Sequence, residues 1–150
     1  MSDTAASLYQ ELVVERARRP LHAGDVEPAD GSGDGINPLC GDKVHVSLSL
    51  GAAGTASVVR HRTRGCAICA ASADLMAESV QGRDAAEARV LFEGFEQLLQ
   101  QGQAALDDAT RERLGLLNAF ADLHDYRSRR KCATLPWSAL LAAFKSGEEA

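Results

Sequence analysis

The sequence predicts an α+β fold: a small antiparallel β-sheet with helices packed on one side. Three observations lead there. One stretch, Lys43 to Leu50, alternates apolar and polar residues with strand period. A glycine-rich turn follows it and leads into a second β-type run. Most of the remaining chain carries apolar residues at helical spacing, punctuated by capping residues.

In chain order, Ser7 to Arg19 places Leu8, Leu12 and Val13 at helical spacing, and Pro20 stops the segment. Pro20 to Leu39 holds Gly24, Gly31, Gly33, Gly35, Pro28 and Pro38 with little apolar periodicity, and reads as a long loop. From Lys43, Val44, Val46, Leu48 and Leu50 share one face, with His45, Ser47 and Ser49 on the other. Gly51-Ala52-Ala53-Gly54 makes the turn, and Thr55 to Arg64 returns with Val58 and Val59 as the partner of a hairpin. Gly65 ends that strand. Cys66 opens a helix to about Val80, closed by Gly82. Asp84 is the expected N-cap of the next helix, which runs through Val90, Leu91 and Leu98 to Gly102. Residues 103–126 read as broken helix, with Leu114, Leu117, Phe120 and Leu123 buried. A last helix is expected over Cys132 to Phe144, with Trp137, Leu140, Leu141 and Phe144 on its apolar face; Pro136 fits it in the first turn. The whole, residues 1–150, reads as one domain, since 150 residues suffice for a hydrophobic core without staples.

The formal net charge of −5 argues against nucleic acid as a partner, because phosphate binding rests on positive charge. One basic cluster stands out: Arg127, Arg129, Arg130 and Lys131. No apolar run approaches the roughly 18 residues that span a bilayer, so no membrane insertion is expected. Met1-Ser2-Asp3-Thr4 lacks the basic and apolar regions of a secretory leader, and a cytoplasmic location is expected. Thiols stay reduced there, so the four cysteines read as metal ligands or reactive thiols rather than disulfides.

Three of them are placed at element ends: Cys40 in the turn entering the first strand, Cys66 and Cys132 at predicted helix starts. Helix N-termini favour the thiolate, the form that binds zinc and attacks sulfur. In Cys40-Gly41-Asp42, glycine permits a tight turn that brings both flanking side chains into one site. A thiolate and a carboxylate can share a tetrahedral zinc, the oxygen being the harder, more labile donor; Asp42 as a turn cap is the plain alternative. Cys66-Ala67-Ile68-Cys69 has the spacing of a thioredoxin-type redox pair or of half a zinc ribbon. Neither the strand–helix alternation of the first nor the second C-x-x-C of the other is present. His22, His45, His61 and His124 sit among polar neighbours and read as surface residues, with His61, near Cys66, the least improbable ligand among them.

These residues resemble a known family. Asn37-Pro38-Leu39-Cys40-Gly41-Asp42, Gly65-Cys66-Ala67-Ile68, Ala71-Ser72, Met76, Glu78, Gly82-Arg83-Asp84 with Glu87-Ala88, and Arg129-Arg130-Lys131-Cys132-Ala133-Thr134-Leu135 with Trp137 and Ala139-Leu140 resemble the SufU branch of the IscU/NifU N-terminal family. The matches are dispersed over residues 7–144 in the family's order. Classical scaffolds of the family carry a histidine before the last cysteine, where this chain has Lys131, and a Leu-Pro-Pro-Val-Lys segment that is absent here. The insertion typical of the SufU branch falls within 103–126.

The resemblance implies an IscU-like fold with Cys40, Asp42, Cys66 and Cys132 as zinc ligands and Cys40 as the catalytic sulfur acceptor. It also implies a SufS-type, PLP-dependent cysteine desulfurase as partner, with an iron–sulfur scaffold complex downstream. Activity would then be sulfurtransferase-like: Cys40 leaves the zinc, and a histidine of the desulfurase takes its place. Arg129 and Lys131 would hold positive charge near the departing sulfur. Two other readings remain: a scaffold that assembles an iron–sulfur cluster on the same three cysteines, and a protein whose zinc is only structural. Cys69 departs from the family, which has a small polar residue there; it is either a spare thiol beside Cys66 or a packing residue.

Overall fold

In the computed structural model, which describes residues 2–149, three antiparallel strands lie in the order β1-β2-β3: β1 Gly31–Asn37, β2 Asp42–Leu50 and β3 Ala56–Arg64. Five α-helices accompany them: α1 Ser2–Arg18, α2 Ala67–Val80, α3 Ala85–Gln101, α4 Asp108–Leu114 and α5 Arg127–Glu149. A 3₁₀ run, Gly115–Asp125, joins α4 to α5. The α+β architecture with helices on one side of the sheet is the expected one.

The predicted hairpin is present, its core face formed by Val44, Val46 and Leu48 with Val59 opposite Leu48. Two helix boundaries follow the capping rules closely. Cys66 caps α2, its sulfur accepting from the Cys69 N–H. Asp84 and Glu87 form a reciprocal capping box at α3. Leu114, Leu117, Phe120 and Leu123 are buried as expected. Trp137 stacks on Phe92 with ring centroids 5.5 Å apart, and Phe95 stands 5.5 Å from the same indole. In α1, Leu12 and Val13 pack against the core while Leu8 is exposed. No helix among the described residues is long and apolar enough to cross a membrane.

Two expectations fail. The Pro20–Leu39 stretch is not all loop, because its second half is β1. The core-facing positions of β1 are Gly31, Gly33 and Gly35, and the backbone of α5 lies directly on them. A Cβ at Gly33 would stand 2.6 Å from the Ala143 nitrogen and 2.7 Å from the Ala142 Cβ. Valine at these positions would have announced the strand and excluded the helix. The first half of the stretch crosses the outer face of the sheet: Gly24 N–H donates to the His61 carbonyl on the edge of β3, and Val26 N–H to Ser47 Oγ on β2.

The second failure concerns α5, which begins at Arg127 and not at Cys132. Cys132 is therefore one and a half turns inside the helix, and helix-terminal charge does not act on it. Pro136 is also interior. Having no N–H, it leaves the Cys132 carbonyl without its helical donor. The next carbonyl, that of Ala133, accepts the buried Ser72 hydroxyl at 2.6 Å. That bond pins α5 to α2 beside Cys132.

Candidate metal centre

Cys40 sits on the four-residue loop between β1 and β2, where Asn37 pairs with Asp42. The loop closes by a Gly41 N–H to Asn37 carbonyl bond of 2.8 Å, and Gly41 adopts φ +76°, which favours glycine. The expectation that Gly41 lets both flanking side chains enter one site agrees with this geometry. Cys40 is exposed, and Leu39 beside it is 85% exposed. Asp42, the first residue of β2, is 4% exposed.

Ligand atoms of Cys40, Asp42 and Cys132 all lie within 4.8 Å of one another. Cys66 stands just outside that mutual group but touches it, its thiol 3.7 Å from Asp42 Oδ2. The Cys66 N–H also donates to Asp42 Oδ1 at 3.3 Å. Donors on one tetrahedral zinc, with Zn–S about 2.3 Å and Zn–O about 2.0–2.2 Å, stand roughly 3.4–3.8 Å apart. The cluster is close to that size before any ion draws it in. Its donor set, three thiols and a carboxylate, suits zinc, and four acidic groups so crowded repel as they ionise unless a cation balances them. The residues present fit the metal.

Burial pushes the Cys132 thiol up, and Cys66 and Asp42 push it further through hydrogen bonds and negative charge. Cys69 has no exposed surface. Burial, then the charges of Asp42, Cys66 and Cys40, raise its thiol to about 12. It is held as a neutral thiol and contributes to the centre only its backbone N–H, 3.5 Å from the Cys66 sulfur. Burial disfavours the redox-pair reading of the C-x-x-C. Of the basic cluster, Arg129 lies over the Tyr126 ring at 5.4 Å. Lys131 lines a surface groove with Glu96, Leu99 and Gln100.

Several positioning residues escape a sequence reading. Gly65 was expected only to end β3, yet a Cβ there would stand 2.6 Å from Asp42 Cγ: the missing side chain is the room in which the carboxylate sits. Its place directly before a candidate ligand was the available signal. The histidine expectation also needs correction at His61, which is 2% exposed. Its Nε2 lies 2.9 Å from Asp74 Oδ1 and its Nδ1 2.9 Å from Thr63 Oγ1. The fully buried Asp74 also accepts from the Leu21 and His22 N–H groups and from Arg16 at 3.1 Å. This network ties α1, the following segment and β3 to α2, the helix that Cys66 caps. His45 is on the outer face as expected, 2.8 Å from Asp34.

Known proteins match this chain, in sequence and in fold, over most of its length. A family model described as NifU-like N terminal domain matches residues 8–133. SufU of Bacillus subtilis (strain 168), named a zinc-dependent sulfurtransferase, is 28% identical over 134 residues, 89% of this chain and 87% of that protein. IscU of Thermotoga maritima, named an iron–sulfur cluster assembly scaffold protein, is 28% identical over 138 residues, 92% of this chain and 93% of that one. Among solved structures, FiSufU of Fervidobacterium islandicum AW-1 has a TM-score of 0.79 at 28% identity, covering 89% of this chain and 94% of its own. A NifU-like protein (N-terminal) from Brucella abortus gives 0.80 at 25% identity, with 94% of each chain covered. By sequence span and by fold, this chain belongs to the NifU-like N-terminal domain family, an iron–sulfur cluster assembly family, with SufU and IscU proteins as its relatives.

Proposed function

We propose that this protein is a zinc-dependent sulfur acceptor, which takes persulfide sulfur from a SufS-type, PLP-dependent cysteine desulfurase and passes it to an iron–sulfur scaffold complex. The observation that carries the reading is the contrast within the cluster. Cys40 rides a four-residue hairpin tip, whereas Asp42 is held by β2, Cys132 by α5 and Cys66, also exposed, by the start of α2. Cys40, Asp42, Cys66 and Cys132 would hold the zinc, which keeps its thiolate ligands deprotonated at neutral pH. Cys40 is the donor free to leave, because only the hairpin tip has to move. Asp42, a hard oxygen donor, keeps the set from being a closed thiolate cage.

The transfer step balances without an external oxidant. The Cys40 thiolate attacks the outer sulfur of the desulfurase persulfide, and a new S–S bond forms on Cys40 Sγ. The old S–S bond breaks and its electron pair stays on the desulfurase cysteine as thiolate. The SufU relative's name, a zinc-dependent sulfurtransferase, supports this reading. Such thiol chemistry suits a reducing cytoplasm.

Scaffolding is the second reading, favoured by the IscU relative at the same 28% identity and by the same three cysteines as ligands. Lys131 favours transfer: it stands where the resemblance puts a histidine in scaffolds. The test mixes zinc-loaded protein with its desulfurase and cysteine. Mass spectrometry follows persulfide on Cys40, and visible absorption follows cluster formation in the same preparation. Stimulated turnover with a persulfide that Cys40→Ala abolishes is the expected result. Transferable cluster formation without zinc-dependent stimulation would replace the acceptor reading with the scaffold.

A further inference from the structure

The outer face of the sheet carries more positive charge than its neighbours neutralise. Strand register sets Ile36, Lys43 and Arg64 in one row across β1, β2 and β3, and Asp34, His45 and Arg62 in the row two residues away. The second row is compensated: His45 pairs with Asp34 at 2.8 Å and Arg62 with Asp25 at 2.9 Å. The first is not. Lys43 and Arg64 are directly opposite, both exposed, and no ion pair to either is found among the described residues. Like charges at opposed positions destabilise a sheet, and this pair stands in a chain of net charge −5.

The row abuts the metal centre. Lys43 follows Asp42, and only Gly65 separates Arg64 from Cys66. Ile36, 59% exposed, leads toward the hairpin tip that bears Cys40 and Leu39, the latter 85% exposed. An open groove of about 840 Å³ borders this row, lined in part by Ile36, Lys43 and Arg64 together with Asp34 and, from the helices, Ala17 and Ala70. Cationic charge and bare aliphatic surface thus lie side by side on the outer face of the sheet, at the end of the strands whose neighbouring residues carry the thiol cluster.

We propose that Ile36, Lys43 and Arg64, with Leu39, form the docking surface for the sulfur-donating protein, which meets them with an acidic and apolar patch bordering its persulfide. The inference rests on the sulfur-acceptor reading. Two observations point to this occupant. The uncompensated charge complements an anionic surface. And a donor whose sulfur must reach bonding distance of Cys40 has to cover the surface around the hairpin tip, which this row adjoins. Opposed Lys43 and Arg64 cost the free protein stability that an acidic partner would return, and they would steer association in a salt-dependent way.

The experiment uses the full zinc-loaded chain and its cysteine desulfurase. Desulfurase turnover is measured against acceptor concentration at low and high salt. Lys43→Glu with Arg64→Glu should raise the acceptor's apparent KM by about tenfold or more, since like charge across an interface is costly. It should also reverse the salt dependence, with zinc content kept. Lys43→Gln with Arg64→Gln, which relieves the cross-strand repulsion and so does not threaten the fold, should raise KM less and flatten the salt dependence. Wild-type KM and salt dependence in the glutamine pair would overturn the docking surface while leaving Cys40 as acceptor. No persulfide on wild-type Cys40 would overturn the acceptor reading itself, and the docking proposal with it.

Discussion

Alanine at Gly65 sets one methyl group against the Asp42 carboxylate. Its Cβ would stand 2.6 Å from Asp42 Cγ and 3.0 Å from Asp42 Cβ, where ordinary contact begins near 3.4 Å. Asp42 must retreat by about 1 Å to restore normal carbon separations. At 4% exposure it has little room, and the move breaks the 3.3 Å bond from the Cys66 N–H. A hydrogen bond to a charged group contributes about 1.5–3 kcal/mol, so zinc affinity should fall by roughly 10- to 150-fold at 1.4 kcal/mol per decade. Gly65 is not among the residues with positive φ, so alanine suits its backbone and the fold should persist. Competition against a chromophoric zinc chelator measures the affinity, and far-UV circular dichroism checks the fold. The control is the same change in Asp42→Ala, where the new methyl meets only the remaining Cβ at 3.0 Å and no carboxylate, so the further loss of zinc affinity should be far smaller. Zinc affinity within about twofold of wild type in folded Gly65→Ala would show that Asp42 is not the positioned ligand argued here.

Burial alone would raise the Asp74 carboxyl, but the hydrogen bond from His61, the Leu21 and His22 N–H groups and the His61 charge hold it at about 2, below its ordinary 3.8. A carboxylate lowered on folding contributes stability above its unfolded value and loses it as the pH falls through the folded one. Asp74 should therefore contribute about 2 kcal/mol that is present at neutral pH and fades between about pH 4 and 2. Urea midpoints of wild type and Asp74→Asn should converge over that interval, and curves that stay parallel would refute the assignment. Cys69→Ser should keep one zinc per chain and most sulfur uptake, read by metal analysis and persulfide mass spectrometry, since the buried neutral thiol offers the centre only a backbone N–H. Loss of zinc there, with Cys66→Ala tolerated, would exchange the two cysteines' roles.

How much of this could be read beforehand differs by element, for local reasons. The β2–β3 hairpin shows itself through Val44, Val46, Leu48 and Val59, and α3 through Asp84 and Glu87, because alternation and capping are properties of sequence neighbours. The donor types at positions 40, 42, 66 and 132 were equally legible, as was the need for glycine at 41. β1 was hidden because its core positions are glycines. The start of α5 was misplaced because the five residues from Arg127 to Lys131 hold four cations and no apolar side chain to mark a helix face. Pro136, read as a first-turn residue, lies inside α5, a helix anchored by the buried Trp137 and by the Ser72 bond to α2.

By itself, then, the sequence determined the hairpin, the helical remainder and the chemistry available to a metal. What only the tertiary structure decided is whether those donors meet. That turns on contacts between residues far apart in the chain: α5 seated on Gly31 and Gly33, Ser72 held to Ala133, and the Asp42 carboxylate in the space that Gly65 leaves open. Close approach of this kind is encoded by absent side chains, which leave no periodicity to read.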